Sequence, residues 1–202
     1  REDMSTPLAA ITLKSKNGVR FHVAGVVTNF DGGHPEGSNE VYEGLTFSHP
    51  FDAATEALSA AKSGDIRLLL SHMGDDRDVQ YASATDCCDI IIGGHTHVVM
   101  DSVVNNVVIG QTGRKLKNIG ATTIRLKGRK ITSIDYRNIP LAEYAKDSTT
   151  LALIEQIEDN PKLKVKVGKF ANAVSHVGFA DLLTRSLAEA MGTQLAFYHY
   201  GG

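Results

Sequence analysis

Apolar and polar positions change period along the chain, and their order predicts a mixed α/β fold. Val19 to Thr28 (VRFHVAGVVT) is rich in β-branched residues and reads as a strand. Residues 31–44 hold four glycines and a proline, which predicts a loop. A helix follows: Pro50 suits its first turn, Asp52 favours its dipole, and Ala53, Ala54, Ala57, Leu58 and Ala61 form an apolar face ending at Ser63-Gly64. Ile66–Leu70 is a short continuous apolar run, the pattern of a strand buried on both faces. A short helix over Arg77–Thr85 and a second buried strand over Asp89–Ile92 complete a β-α-β unit, and so a parallel pair.

Beyond that the style changes. Val107–Gln111, Ala121–Leu126 and Lys130–Tyr136 read as antiparallel strands, the last two joined by a tight turn at Lys127-Gly128-Arg129. A helix is predicted over Ser148–Glu158 with Leu151, Ile154 and Ile157 inward, stopped by Asn160-Pro161. Residues 161–170 alternate basic and apolar, as an edge strand or linker would. A last helix over Asp181–Met191 ends at Gly192, and Leu195–Phe197 starts a further strand.

Composition narrows the classes. The 202 residues carry a net charge of −2 and are 42% hydrophobic and 22% charged, as in an ordinary globular protein. The balance gives no basic stripe for a nucleic-acid partner, and no apolar run reaches the roughly 18–20 residues of a membrane span. Cys87 and Cys88 are adjacent, a spacing that disfavours pairing and suggests buried thiols.

The chemistry gathers on three histidines. His72 follows the strand Ile66–Leu70, and His95 and His97, in Gly93-Gly94-His95-Thr96-His97, follow the strand Asp89–Ile92. Ligands of open α/β sheets collect at the carboxyl ends of strands, so two neighbouring strands would deliver all three imidazoles to one edge. The glycines allow close backbone approach to an ion. An i, i+2 pair on an extended segment would point both rings the same way, spaced to serve two ions. Imidazole suits Zn, Mn, Fe or Ni, and a two-ion clamp hydrolyses phosphate esters. Asp75, Asp76, Asp78 and Asp101 read as acidic turn residues that could orient an imidazole.

On these motifs the chain resembles the calcineurin-like metallophosphatases, and within them the bacterial 5′-nucleotidase and 2′,3′-cyclic-nucleotide phosphodiesterase group. The resemblance lies in Leu68-Leu69-Leu70-Ser71-His72-Met73-Gly74, in Cys88 to His97, in Asn106 to Gly113 and in Gly18 to Val26. It extends to Leu182–Gly202, which is similar to the entry of that family's C-terminal nucleotide-binding domain. It implies a fold that is the second half of a four-layer α/β/β/α metallophosphatase sandwich, with a linker helix and the start of an α/β C-terminal domain. The corresponding boundaries are residues 1–140, 141–170 and 171–202.

The resemblance also implies that His72 and His95 ligate one metal and His97 the other, with two divalent ions (Zn, Mn or similar) in the longer protein. His199, Gly201 and Gly202 would contact the substrate, a small nucleotide, with no nucleic acid involved. The implied reaction is hydrolysis of nucleotide phosphomonoesters by a hydroxide that two metals activate. A 2′,3′-cyclic-nucleotide phosphodiesterase, or a non-catalytic binding or structural module, is the alternative. Family members are periplasmic, secreted or at the cell surface. The family's Asp-x-His strand end, bridging Asp and Asn-His-Glu turn are not found in these residues. Three neutral imidazoles cannot offset four positive charges, so the expectation is a middle piece of a protein of roughly 450 residues or more, catalytic residues upstream.

Overall fold

The structure, a computed structural model, describes residues 10–30, 33–157 and 160–197. The chain divides into two compact units, Arg1–Ala145 and Lys146–Gly202.

The first unit is built on a six-stranded sheet. Its strands are β1 (Ala10–Lys14), β2 (Arg20–Val27), β3 (Ile66–His72), β4 (Ile90–Ile92), β5 (Val99–Val104) and β6 (Val107–Thr112). They lie in the order β1-β2-β3-β4-β6-β5. The four central strands run parallel, with Val23, Leu68, Ile90 and Val108 in register across them. β1 and β5 close the two edges antiparallel. The predicted β-α-β unit is therefore present, and the antiparallel reading of Val107–Gln111 holds on one side only, where β6 meets β5. On its other side β6 pairs parallel with β4, and its first five residues are buried, as a strand covered on both faces must be. β1 and β5 have no counterpart in the sequence reading. Both are edge strands with short apolar runs; β5 exposes alternate residues, and β1 is exposed from Ile11 to Lys14. Asn105 and Asn106 carry the β5–β6 turn, with φ of 49° and 64°, the left-handed pair that a two-residue hairpin needs.

Helices α1 (Pro50–Ser59) and α2 (Asp75–Ala84) cover one face of the sheet. There Ala54, Ala57 and Leu58 of α1 and Tyr81 and Ala82 of α2 pack with Ala24, Leu69, Ile91, Val107 and Ile109 into one buried cluster. His22 is part of this layer, its Nε2 bonded to the Ala57 carbonyl at 2.8 Å. A two-stranded sheet, β7 (Asn118–Lys127) with β8 (Lys130–Pro140), covers part of the opposite face. Gly128 (φ 63°) and Arg129 form its turn, as the sequence predicts. Tyr136 of β8 fastens this hairpin to the main sheet, because its ring fills the space above Gly110 of β6. Helices, sheet and second sheet are consecutive layers of the expected sandwich.

The second unit contains α3 (Ser148–Ile157) and α4 (His176–Met191), with a short 3-10 turn at Pro161–Lys164. The latter, and the absence of a strand from residues 165–175, make the basic stretch a connector. α4 begins five residues before the predicted start. Ser175 caps it, its hydroxyl accepting from the Gly178 N–H at 3.1 Å, and the glycine inside the first turn hides this start from a periodicity reading. Gly192 ends it in the left-handed conformation, as predicted. Leu151, Ile154 and Ile157 of α3 are exposed, contrary to the inward face expected of them. Leu195–Phe197 forms no strand.

Candidate functional site at the carboxyl edge of the sheet

β2, β3 and β4 all point their carboxyl ends at the same edge, and β3 ends on His72. The Thr28 N–H donates to the His72 carbonyl at 3.2 Å, holding the strand end after the regular ladder stops. Beyond β4 the Gly93 N–H donates to the Gly110 carbonyl at 2.8 Å, and the chain then turns across β3. It passes so close that a Cβ at residue 94 would lie 3.1 Å from Nδ1 of His72. That approach brings His95 against His72, ring centroids 5.2 Å apart and edge to face.

Glu36 reaches the pair from the loop after β2, its Oε1 3.7 Å from Nε2 of His95. Val27, Thr28, Pro35, Glu36, His72 and His95 line a recess of ≈ 160 Å³. A neighbouring one of ≈ 200 Å³ is lined by His95 and Thr96 together with Phe30, Asp76 and Arg77. The Arg77 guanidinium stacks 4.4 Å from the Phe30 ring centroid, placing a cation beside the imidazoles.

His97 stands apart. The sequence reading puts His95 and His97 on an extended segment, but both adopt left-handed backbone, φ 79° and 61°. Each such residue costs of order 1–3 kcal/mol, so surrounding structure must impose the turn. It does: Gln111, buried in β6, accepts the Val98 N–H at 3.1 Å through Oε1, and the Thr96 hydroxyl lies 3.4 Å from the same oxygen. The turn sends His97 outward, where it is exposed. Among the described residues no three His, Cys, Asp or Glu side chains converge to hold an ion. His72 and His95 fit part of a metal's donor set, and a complete set needs further groups. His199, Gly201 and Gly202 lie outside the described residues.

Behind the turn lies a buried acid that the sequence groups with Asp75 and Asp76 as helix-start residues that could orient an imidazole. Asp78 of α2 is fully buried, and its Oδ1 accepts the Ser71 hydroxyl. Burial pushes its carboxyl up to about 6; the Ser71 hydrogen bond opposes this and the Asp75 charge adds to it. Because the folded value lies above the unfolded one, the folded state binds the extra proton between them. Stability is thus highest below about pH 4 for this group and falls as pH rises to about 6. The shift of about two units corresponds to ~3 kcal/mol. Asp78→Asn is expected to flatten that slope. Urea unfolding at several pH values checks it, and an unchanged profile would contradict it. Asp75 and Asp76 stay at the surface side of the same turn, and Asp101 is exposed. The thiols are free, as expected, and burial pushes Cys88 up to about 12.

No family model matches the chain. The trifunctional nucleotide phosphoesterase protein YfkN of Bacillus subtilis is 24% identical over 163 residues, 74% of this chain. The chain spans only 10% of that protein's length. Among solved structures, a 5′-nucleotidase precursor from Thermus thermophilus matches 92% of the chain with a TM-score of 0.67 and 15% identity. Over the part it covers, the chain has the fold of this 5′-nucleotidase precursor. The sulfate thiohydrolase SoxB of Thermus thermophilus also shares it, with TM-score 0.63, 23% identity and 80% of the chain covered. The chain spans 43% and 31% of these two structures, so it matches part of a larger architecture in each. Among the described residues no helix is long and apolar enough to cross a membrane.

Proposed function

We propose that the chain is part of a metal-dependent phosphoesterase that hydrolyses nucleotide phosphomonoesters. The observation that carries this is the His72–His95 pair, held ring against ring where two adjacent parallel strands end. His72 and His95 would hold one divalent ion, and His97 would face a second. Bound ions would supply the positive charge that stabilises a phosphoryl group under attack by water. The chain's own part is orientation: Gly94 lets the turn approach β3, and Gln111 holds the turn in its left-handed form. Arg77 offers a cation to a non-bridging phosphate oxygen. The names of the relatives support a nucleotide as the substrate. The remaining ligands and the substrate contacts would come from outside the described residues, His199, Gly201 and Gly202 among them. The proposed domain boundaries remain residues 140 and 170, and the proposed location is outside the cytoplasmic membrane.

The test is phosphate release from nucleoside 5′-monophosphates by the longer protein, before and after chelation. Activity should vanish on chelation and return with zinc or manganese. Hydrolysis that survives exhaustive chelation would refute the reading. A 2′,3′-cyclic substrate in the same assay separates the two branches of the family.

A further inference from the structure

Of the three aspartates in the first turn of α2, Asp78 alone is fully buried. Its two oxygens meet different parts of the site. Oδ1 takes the Ser71 hydroxyl, whose oxygen in turn accepts the Met73 N–H at 3.2 Å, so the clamp grips the chain on both sides of His72. Oδ2 has no hydrogen-bond partner. It lies where a Cβ at residue 93 would come within 2.4 Å, so the Gly93 turn packs directly on the carboxylate. The Gln111 amide forms the other wall of that slot, 3.4 Å from the same Cβ position. One side chain thereby braces the strand end carrying His72 and the turn carrying His95.

An unpartnered carboxylate oxygen in the interior costs stability, and an apolar or amide side chain would fill the space without that cost. The compensation fits a charge role, because a carboxylate behind ligating imidazoles favours the bound cation and fixes ring orientation. We propose that Asp78 is a positioning residue of the metal centre, acting through Ser71 on His72 and through Gly93 on His95. This rests on the reading of His72 and His95 as ion ligands.

Titration of the metal-free longer protein with Zn²⁺, followed by the imidazole NMR signals of the histidines of this chain, tests it. In the unsubstituted protein the His72 and His95 signals should move together. Those of His22, on the helix-covered face and bonded to Ala57, should not. Asp78→Asn keeps the shape and removes the charge; it should weaken zinc binding about tenfold, within the range seen for residues behind metal ligands. Its melting temperature at pH 7.5 should hold or rise, since a buried charge is gone. Ser71→Ala, which cuts the link to the strand end, should weaken zinc binding in the same sense and shift the metal-free His72 signal. Zinc affinity unchanged in both variants overturns the proposal, as does a loss of affinity that merely tracks a fall in melting temperature. If zinc does not move His72 and His95 in the unsubstituted protein, the ligand reading itself falls and takes this one with it.

Discussion

Replacing His95 with alanine in the longer protein should lower nucleotide hydrolysis by more than about 100-fold, beyond the range for residues behind metal ligands. His72→Ala should do the same, and the double variant little worse, because the two rings act as one unit. The geometry gives the reason: with centroids 5.2 Å apart, each ring supplies what the other cannot replace. His97→Ala provides the contrast. It should also impair hydrolysis, through the second ion it is proposed to face, yet leave zinc binding at the His72–His95 pair unchanged, since His97 lies outside that pair. Steady-state rates and zinc titration of the longer protein check both arms. Turnover within twofold of the parent in His95→Ala would exclude the proposed centre.

The largest effect on stability is expected at Gly110, on the strand that also holds the turn after β4. The Tyr136 ring sits in a slot between two glycines. A Cβ at Gly110 would lie 2.2 Å from its Cζ, and one at Gly120 would lie 2.4 Å from its hydroxyl oxygen. One aromatic ring thus fills the space between the main sheet and the β7–β8 hairpin, with backbone on either side, beside the Asn138 side chain that donates to the Met100 carbonyl at 3.1 Å. Gly110→Ala must expel that ring or push the strands apart, at a cost of ~3 kcal/mol, the upper part of the overpacking range. For a domain of this size that lowers the melting temperature by about 6–12 °C. Tyr136→Ala should cost a similar amount through its cavity, and the double variant less than the sum, because both act on one contact. Thermal unfolding followed by circular dichroism measures all three. A change under 1 °C for Gly110→Ala would show that the hairpin does not depend on this slot.

The parallel core was readable because its strands are continuous apolar runs. Ile66–Leu70 and Asp89–Ile92 have few other uses than strands covered on both sides, and the helix before the first of them announces itself by Pro50, Asp52 and a 3.6-residue period. The edges were not readable. β1 is exposed from Ile11 to Lys14 and β5 on one face, so neither carries a core pattern, and the parallel pairing of β6 with β4 is hidden because direction is not written in an apolar run. The Asn105-Asn106 pair did carry the missing signal, a two-residue turn between two runs of valine. Glu36 and Arg77 had no signal at all, since a charged residue in a loop or first turn looks the same whether it faces the site or bulk water. Asp78 shares its signal with Asp75 and Asp76, acids that could orient an imidazole but stand near a helix start, where acids need no further reason.

By itself the sequence determined the elements of the core and the placing of His72 and His95 at strand ends, because hydrophobic period and Gly-Gly-His-Thr-His are local properties. Only the tertiary structure decided which imidazoles meet. The turn after β4 is forced into left-handed backbone by Gln111, a residue of a strand that comes later in the chain, and that turn sends His95 onto His72 and His97 away. It likewise decided that Asp78 is buried and Asp76 is not, since burial depends on what packs above a helix and no local pattern encodes that.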